Sequence, residues 1–170
     1  MASLTTRFML FACSLVAVAF LAGGCDPVTE KDIEKVTIGG TEYKLKLAVD
    51  QKSREKGLGG VDELPADSGM LFVFPDAAVL KFYMKDCTID LDIAFVDSLG
   101  IVTAVHTMRK EKLKGAEETQ AAYEARLQQY PSGVPARFAI EIQPGALEKL
   151  GIKRGSKIDL DLPNLKALAK

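Results

Sequence analysis

The stretch from Gly69 to Val105 constrains the fold more than any other part of the chain. Its apolar residues form short runs, and each run is closed by a turn-forming residue such as Pro75, Asp86 or Gly100. The runs are Met70–Phe74, Lys81–Met84, Leu91–Val96 and Ile101–Val105. This pattern is typical of several strands that share one hydrophobic core.

Segments on both sides of this stretch add further elements. Gly39 and Gly40 separate two apolar segments and supply the positive φ angles of a two-residue hairpin turn. The predicted elements are a hairpin over 36–49, a helix over 51–56 that begins after Asp50 and ends at Gly57, a helix over 117–129, a strand over 137–142, a short helix over 144–150 and a final strand over 157–162.

Composition and element order together indicate the fold class. The chain is 26% charged and 48% hydrophobic, which is ordinary for one globular domain once the apolar N-terminus is discounted. Strands and helices do not alternate regularly, which argues against a doubly wound parallel sheet. We therefore predict a single α+β domain over residues 36–163, with a mostly antiparallel, barrel- or sandwich-like core and short peripheral helices. Residues 164–170 are expected to be a C-terminal tail.

Several segments carry a resemblance to a known family. They read GMLF at 69–72, FYMKDC at 82–87 and DLD at 90–92, with REKGL at 54–58 upstream and RFAIEIQPG at 137–145 downstream. With these segments the chain resembles the DUF192 (UPF0127) family over roughly residues 45–160. That family has no established activity, so the resemblance implies a fold and a cluster of polar residues, but no reaction.

The polar residues in the matched segments predict where a ligand-binding site lies. Those that adjoin predicted buried strands are Arg54, Lys85, Asp92, Arg137 and Glu141. Burial of an isolated charge costs several kcal/mol unless the charge is paired. We therefore expect at least three of the five to lie within ion-pair or hydrogen-bond reach of another member. Tyr83 and Met84 would form an apolar wall beside them.

The acidic residues leave an enzymatic alternative open. Asp90 and Asp92 share one parity of a predicted strand, so they are expected on the same strand face. Together with Glu141 they are the candidate carboxylates of a hydrolase, although we assign no catalytic residue. No metal site is predicted, because Asp86, Asp90 and Asp92 lack the loop of alternating ligands that calcium sites often show. No cofactor motif is present, and Asp92 is expected to accept hydrogen bonds from the backbone or a basic side chain.

Cys87 and His106 have a structural and a chemical interpretation. A lone cysteine is more often a small buried apolar residue than a nucleophile, and we favour that interpretation for Cys87. The alternative is a nucleophilic pair in which His106 is the base. His106 is the only histidine and no Cys-x-x-Cys segment accompanies it, which argues against a histidine-rich zinc site.

Residues 1–24 predict a secretory signal peptide. Arg7 precedes an apolar run from Phe8 to Leu21, and small residues lead from that run to Cys25. The run is shorter than the ~20 residues that span a bilayer comfortably. The segment LAGGC at 21–25 resembles a bacterial lipobox, so Cys25 is the predicted lipidation site and 25–35 a tether. Ordinary cleavage, or an uncleaved N-terminal anchor, with Cys25 free is the alternative.

Charge and export together define the expected class of partner. Without Arg7 the mature chain has 21 basic and 23 acidic residues, a net charge of about −2, so nothing favours binding of nucleic acid. We expect a membrane-anchored lipoprotein that faces the periplasm or extracytoplasmic space. Its expected role is that of an accessory module, rather than an enzyme, that binds a small ligand, a glycan or an envelope protein. The sequence indicates no oligomeric state.

Overall fold

The computed structural model describes residues 32–170. Its elements are β1 (Ile33–Ile38), β2 (Thr41–Ala48), α1 (Gln51–Lys56), β3 (Ser68–Ala78), β4 (Lys81–Phe82), β5 (Leu91–Val96), β6 (Val102–Met108), α2 (Gln120–Arg126), β7 (Tyr130–Pro131), β8 (Ala136–Ile142), α3 (Ala146–Lys149) and α4 (Leu162–Leu168). The predicted signal peptide, Cys25 and most of the predicted tether lie outside the described residues. Within residues 32–170, no helix combines the length and the apolar character that crossing a bilayer requires.

One six-stranded sheet forms the centre of the domain, with the strand order β1-β2-β3-β8-β5-β6. β2 and β3 are parallel, and the other neighbouring pairs are antiparallel. β4 and β7 form a separate two-stranded antiparallel sheet. The prediction of an α+β domain with a mostly antiparallel core and short helices is confirmed. The main sheet is open and sandwich-like rather than a closed barrel, because β1 and β6 end the strand order without pairing with each other.

Both faces of the sheet are buried, and side-chain alternation distributes the strand residues between them. We call one face the helical face, because Leu147 of α3 and Leu165 of α4 pack on it. We call the other the loop face, because residues from connecting segments cover it, among them Leu58, Leu64, Leu80, Met84 and Cys87. On β3, Leu71 and Val73 belong to the helical face, whereas Met70 and Phe72 belong to the loop face.

Two local predictions are confirmed at residue level. Gly39 and Gly40 have φ angles of 55° and 83° and form the turn between β1 and β2. The Asp50 side chain accepts a hydrogen bond from the N–H of Ser53 at 2.9 Å, which caps α1. Gly57, at φ 50°, ends that helix. In each case the residues that favour a turn or a helix end lie within a few positions of the turn or helix end that they form.

The ends of the domain differ from the prediction. β1 begins at Ile33, so residues 33–35 belong to the first strand and not to the tether. The final strand over 157–162 is absent apart from one bridge between Lys157 and Ile101, and the tail over 164–170 is mostly the helix α4. Asp161 accepts a hydrogen bond from the N–H of Asn164 at 3.2 Å and starts this helix, and Leu165 is fully buried.

α2 is shorter than the predicted helix over 117–129. It begins after Thr119, whose hydroxyl accepts a hydrogen bond from the N–H of Ala122 at 3.2 Å. The Glu118 side chain is held outside the helix, because it binds Arg126 at 2.7 Å and the N–H of Gly115 at 3.1 Å. The helix ends at Arg126 because Leu127 is extended.

Candidate functional site

A cavity of about 300 Å³ opens on the loop face between α1, the middle of β3 and the segment from β4 to Cys87. Its volume lies at the lower end of the range that small-molecule sites occupy, about 300–1,000 Å³. Its lining residues are Gln51, Arg54, Glu55, Lys56, Gly57, Leu58, Gly59, Phe72, Phe74, Lys81, Phe82, Tyr83, Lys85, Cys87 and Glu141. Aromatic, basic and acidic side chains therefore meet in one concave site.

The aromatic wall is organised around Phe82 of β4. The ring of Phe82 lies edge-on to Phe72 at a centroid distance of 4.9 Å, to Phe95 at 5.4 Å and to Phe74 at 6.3 Å. Contacts of this geometry add stability beyond the burial of apolar area. Phe72, Phe74 and Phe82 line the cavity, and Phe95 supports Phe82 from behind, so the wall is a fixed apolar surface.

Arg54 joins α1 to the sheet at the side of the cavity. Its Nη1 donates to the carbonyl oxygen of Val73 and its Nη2 to that of Lys170, both at 2.9 Å. The guanidinium also lies over the Phe74 ring, 5.2 Å from the centroid. These contacts fix the guanidinium in place while its charge faces the aromatic wall.

Glu141 of β8 lies at the buried end of the cavity. It is 5% exposed, and its strand neighbours are Met70 on β3 and Ile93 on β5. Within residues 32–170 its carboxyl group makes no hydrogen bond or ion pair, and its oxygens remain accessible from the cavity, since no fully enclosed side-chain oxygen or nitrogen of these residues lacks a partner. Burial raises the pKa of Glu141 from 4.5 to about 8. At neutral pH the group is therefore mostly protonated and can donate a hydrogen bond to a molecule in the cavity.

Cys87 lies beside Glu141 and is 7% exposed, which confirms that it is a buried residue. Burial, with smaller contributions from the charges of Glu141 and Asp86, raises the pKa of its thiol to about 12. A reactive cysteine requires the opposite shift, because the thiolate is the nucleophile. Cys87 and His106 have different partners, since the Cys87 thiol contacts the carbonyl oxygen of Lys85 and His106 Nε2 contacts that of Pro131.

The segment between β4 and Cys87 is held over the cavity by α2 and by the loop after α1. Asp86 has a φ angle of 56°, a left-handed conformation that Asp and Asn tolerate better than most residues. Its N–H donates to the Tyr123 hydroxyl at 2.8 Å, and its carbonyl oxygen accepts from the N–H of Gly60 at 2.9 Å. Lys85 pairs with Glu124 at 2.6 Å. One edge of the cavity therefore depends on the docking of α2.

The predicted polar cluster is assembled in part. Arg54, Lys85 and Glu141 line the cavity with Tyr83, whereas Arg137 and Asp92 do not. The Arg137 Nε donates to the carbonyl oxygen of Phe74 at 3.2 Å. Met84 is 1% exposed and belongs to the core rather than to the cavity wall.

The expected contacts among the five polar residues are absent. Among residues 32–170, no ion pair or side-chain hydrogen bond joins Arg54, Lys85, Asp92, Arg137 or Glu141 to another of the five. This part of the prediction is wrong because the arginines bind backbone carbonyls and Lys85 binds Glu124. Glu141 avoids an unpaired buried charge by holding its proton.

Asp92 lies on the opposite face of the sheet from Glu141. Its carboxylate accepts hydrogen bonds from the Thr107 hydroxyl at 2.8 Å and from the N–H of Leu147 at 3.0 Å. The prediction that Asp92 accepts backbone hydrogen bonds is confirmed. A second cavity, of about 290 Å³, lies beside Asp92 and is lined by residues of β6 and α3.

The carboxylates of the hydrolase alternative do not share one cavity. Asp90 accepts hydrogen bonds from the Arg109 guanidinium at 2.7 Å and from the N–H of Lys110 at 2.8 Å. It therefore fixes the position of the segment that follows β6. Asp92 connects β5 to α3 on the helical face, and Glu141 faces the loop face. Paired acid and base catalysis requires two carboxyl groups that flank one bond. That arrangement is not formed by these three residues.

Asp92→Asn is expected to lower the free energy of unfolding by about 1–2 kcal/mol, because an amide has only one acceptor oxygen for the two donors. The loss should be the same with and without any molecule in the Glu141 cavity. Urea denaturation measures it. Asp159→Asn, an exposed position, serves as the control and should change stability by less than about 0.5 kcal/mol. Equal stability of the Asp92 and Asp159 variants would contradict the structural role.

Sequence reasoning predicted Tyr83 in the lining of the cavity but missed Phe72, Phe74 and Phe82, and it missed Lys56 and Lys81 as well. β3 reads GMLFVF and is buried on both faces, so periodicity alone could not show that Phe72 and Phe74 face a cavity. The nearest sequence signal was the alternation within that run, which places Phe72 and Phe74 on one face. The partners that enclose the cavity come from α1 and β4, and periodicity within β3 does not show how these separate elements pack on it.

These features define a single-domain α+β protein with a ligand-sized cavity beside an open sheet. The chain belongs to the DUF192 family, whose profile, described as "Uncharacterized ACR", matches residues 34–160. This confirms the resemblance seen in the sequence.

Solved structures with the same fold have been determined from two bacteria. A protein of unknown function from Novosphingobium aromaticivorans is 25% identical, with a TM-score of 0.62, over 88% of this chain and 100% of that one. A candidate transcription regulator from Sinorhizobium meliloti is 23% identical, with a TM-score of 0.57, over 74% of this chain and 89% of that one. No curated protein matched.

Proposed function

We propose that this protein is a membrane-tethered extracytoplasmic lipoprotein whose domain binds a small ligand in the cavity beside α1. The observation that carries the proposal is Glu141, a residue that is 5% exposed and whose carboxyl group faces the cavity with no partner among residues 32–170. Its oxygens reach solvent only through the cavity, and a polar group that loses water contacts without gaining a hydrogen bond costs stability. A bound molecule that accepts its hydrogen bond would remove that cost.

The shape of the site favours a small ligand over the glycan or envelope protein that the sequence left open. The cavity is concave and holds about 300 Å³, whereas protein partners require a broad surface of about 800 Å² per side. Its wall combines rigid aromatic rings with a few polar groups, which is the usual composition of small-molecule sites. The lipid anchor would hold this binding domain at the membrane surface.

Glu141→Met tests the proposal, because Met preserves most of the volume and removes the unpartnered polar group. We expect this variant to melt at a higher temperature than the wild type and to lose the small molecule that copurifies with the wild type. Native mass spectrometry measures the copurified mass, and Glu42→Gln, at an exposed position on β2, should retain it. The proposal would be contradicted if the wild type carried no small molecule, or if Glu141→Met carried as much of it as the wild type.

Cys25→Ser tests the membrane tether. Lipidation requires the thiol of Cys25, so the variant should lose palmitate labelling and move to the soluble fraction. Cys13→Ser changes a cysteine inside the predicted signal peptide and should leave both labelling and membrane retention unchanged. Membrane retention of the Cys25 variant equal to that of the wild type would count against the lipobox.

A further inference from the structure

The charge around the cavity differs from that of the whole chain. The chain has 22 basic and 23 acidic residues, a net charge of −1. The cavity lining contains four basic side chains and only two acidic ones. The basic residues are Arg54, Lys56, Lys81 and Lys85, and the acidic residues are Glu55 and Glu141. Because Glu141 is mostly protonated at neutral pH, it adds little negative charge to the lining.

Two of the four basic side chains are available to a ligand. Lys56 and Lys81 are exposed, and neither forms an ion pair or side-chain hydrogen bond within residues 32–170. Lys85 is already paired with Glu124, and Arg54 donates to two backbone carbonyls. Lys56 is the last residue of α1 and Lys81 is the first residue of β4. The two lysines therefore line the cavity from different elements, and we call the exposed part of the cavity beside them its mouth.

The buried part of the cavity is apolar except for Glu141 and the Cys87 thiol. Phe72 and Leu58 are nearly inaccessible to solvent, and Phe74 and Phe82 complete the wall. Rings of this kind stack with a flat or chain-like apolar group. A ligand that satisfies both parts of the site therefore has an apolar body and a charged group at one end.

We propose, on the basis of the function proposed above, that the cavity binds small organic anions whose apolar ring or chain contacts Phe74 and Phe82 and whose anionic group meets Lys56 and Lys81. Glu141 donates a hydrogen bond to an acceptor at the buried end of the ligand. Both a carboxylate and a phosphate monoester could form this charge interaction with the two lysines at the mouth. The apolar wall excludes ligands that are polar throughout.

Three probes with the same ring and linker test the required charge: 3-phenylpropionate, 3-phenylpropionamide and 3-phenylpropylamine. Isothermal titration calorimetry of the purified protein, at pH 6.5 and low salt, should give about tenfold tighter binding of the carboxylate than of the amide. The amine should bind more weakly than the amide. The preference for the carboxylate should shrink in 0.5 M salt, because exposed charges are screened. A phenyl phosphate titration then distinguishes the two anion classes by relative affinity.

The double variant Lys56→Gln/Lys81→Gln tests the residues. It should reduce the carboxylate affinity about tenfold, to the level of the amide, and leave the amide affinity unchanged. Lys35→Gln/Lys46→Gln removes two exposed lysines from β1 and β2 and should change neither affinity. An unchanged carboxylate affinity in the Lys56/Lys81 variant, or equal binding of carboxylate and amide by the wild type, would overturn the inference.

Failure of this inference is distinguishable from failure of the proposed function. If the wild type copurifies with a neutral or cationic molecule that Glu141→Met loses, the ligand class is wrong and small-ligand binding stands. If the wild type carries no small molecule and binds none of the probes, both are overturned.

Discussion

Raising the pH from 5 to 8 is expected to lower the free energy of unfolding by up to about 1.4 kcal/mol per pH unit, because of Glu141. In the folded protein Glu141 keeps its proton up to a pKa of about 8, whereas its ordinary pKa is 4.5. Between these values the folded state binds more protons than the unfolded state. Stability is therefore greatest below about pH 4.5 for this group and is lost as the pH rises towards 8. Urea denaturation at half-unit pH steps measures the slope.

Other titrating groups act mainly outside this window. Arg126 and the Gly115 N–H hold the pKa of Glu118 at about 2, so its contribution is complete above its ordinary pKa of 4.5 and is lost only as the pH falls. The Cys87 thiol, with its pKa raised from 9.0 to about 12, affects stability only above about pH 9. Glu34, whose pKa is raised by its burial and by the charge of Asp161, adds a slope of the same sign above its ordinary pKa of 4.5. The part of the slope that Glu141→Gln removes is therefore the measure of Glu141.

Two variants complete the pH experiment. The amide introduced by Glu141→Gln cannot ionise, so the variant should lose most of the wild-type slope from pH 5 to 8, and its stability should exceed that of the wild type at pH 8. Glu42→Gln removes an exposed carboxylate on β2 and should keep the wild-type slope. A flat wild-type profile, or a profile as steep in Glu141→Gln as in the wild type, would show that Glu141 is not a buried group that keeps its proton.

Gly69→Ala is expected to lower the free energy of unfolding by about 3 kcal/mol, at the upper end of the usual effect of overpacking. A Cβ at this position would overlap the carbonyl oxygen of Glu141 and lie 2.8 Å from Cγ2 of Ile142 and 2.9 Å from Cδ2 of Leu45. β3 pairs with β2 on one side and with β8 on the other, so the strand has no free direction in which to move. Chemical denaturation of the purified variant measures the loss.

Gly115→Ala is the matched control for Gly69→Ala. A Cβ at Gly115 meets only Cβ of Glu118, at 3.8 Å, which is an ordinary contact. This variant should change stability by less than about 0.5 kcal/mol. If Gly69→Ala were tolerated as well as Gly115→Ala, the close approach of β3 and β8 at this point would be incorrect.

Local chemistry allowed some elements to be predicted closely from the sequence. The Gly39-Gly40 turn and the Asp50 cap of α1 depend on residues that are neighbours in the chain, and both lie where predicted. Residues 157–162, which follow Gly155 and Ser156, were predicted as a final strand, yet only one bridge forms there. Packing of Leu165 against the helical face decides the structure of that end instead.

The sequence predicted individual residues of the candidate site, but not how those residues are arranged relative to one another. The family resemblance selected Arg54, Lys85 and Glu141, which do line one cavity. It also selected Asp92, which lies on the other face. Alternation within one strand shows which residues share a face of that strand, but it does not relate the faces of different strands.

The sequence by itself determined the fold class, the family and the local turns and caps, because those depend on short segments and their composition. The tertiary structure decided that β8 lies between β3 and β5, and this order determines where Glu141 is placed. Only the packing of α1 and β4 over the loop face encloses the cavity and removes water from that carboxyl group. The protonation of Glu141 is thus a property of the assembled sheet, since desolvation requires neighbours that are far apart in the chain.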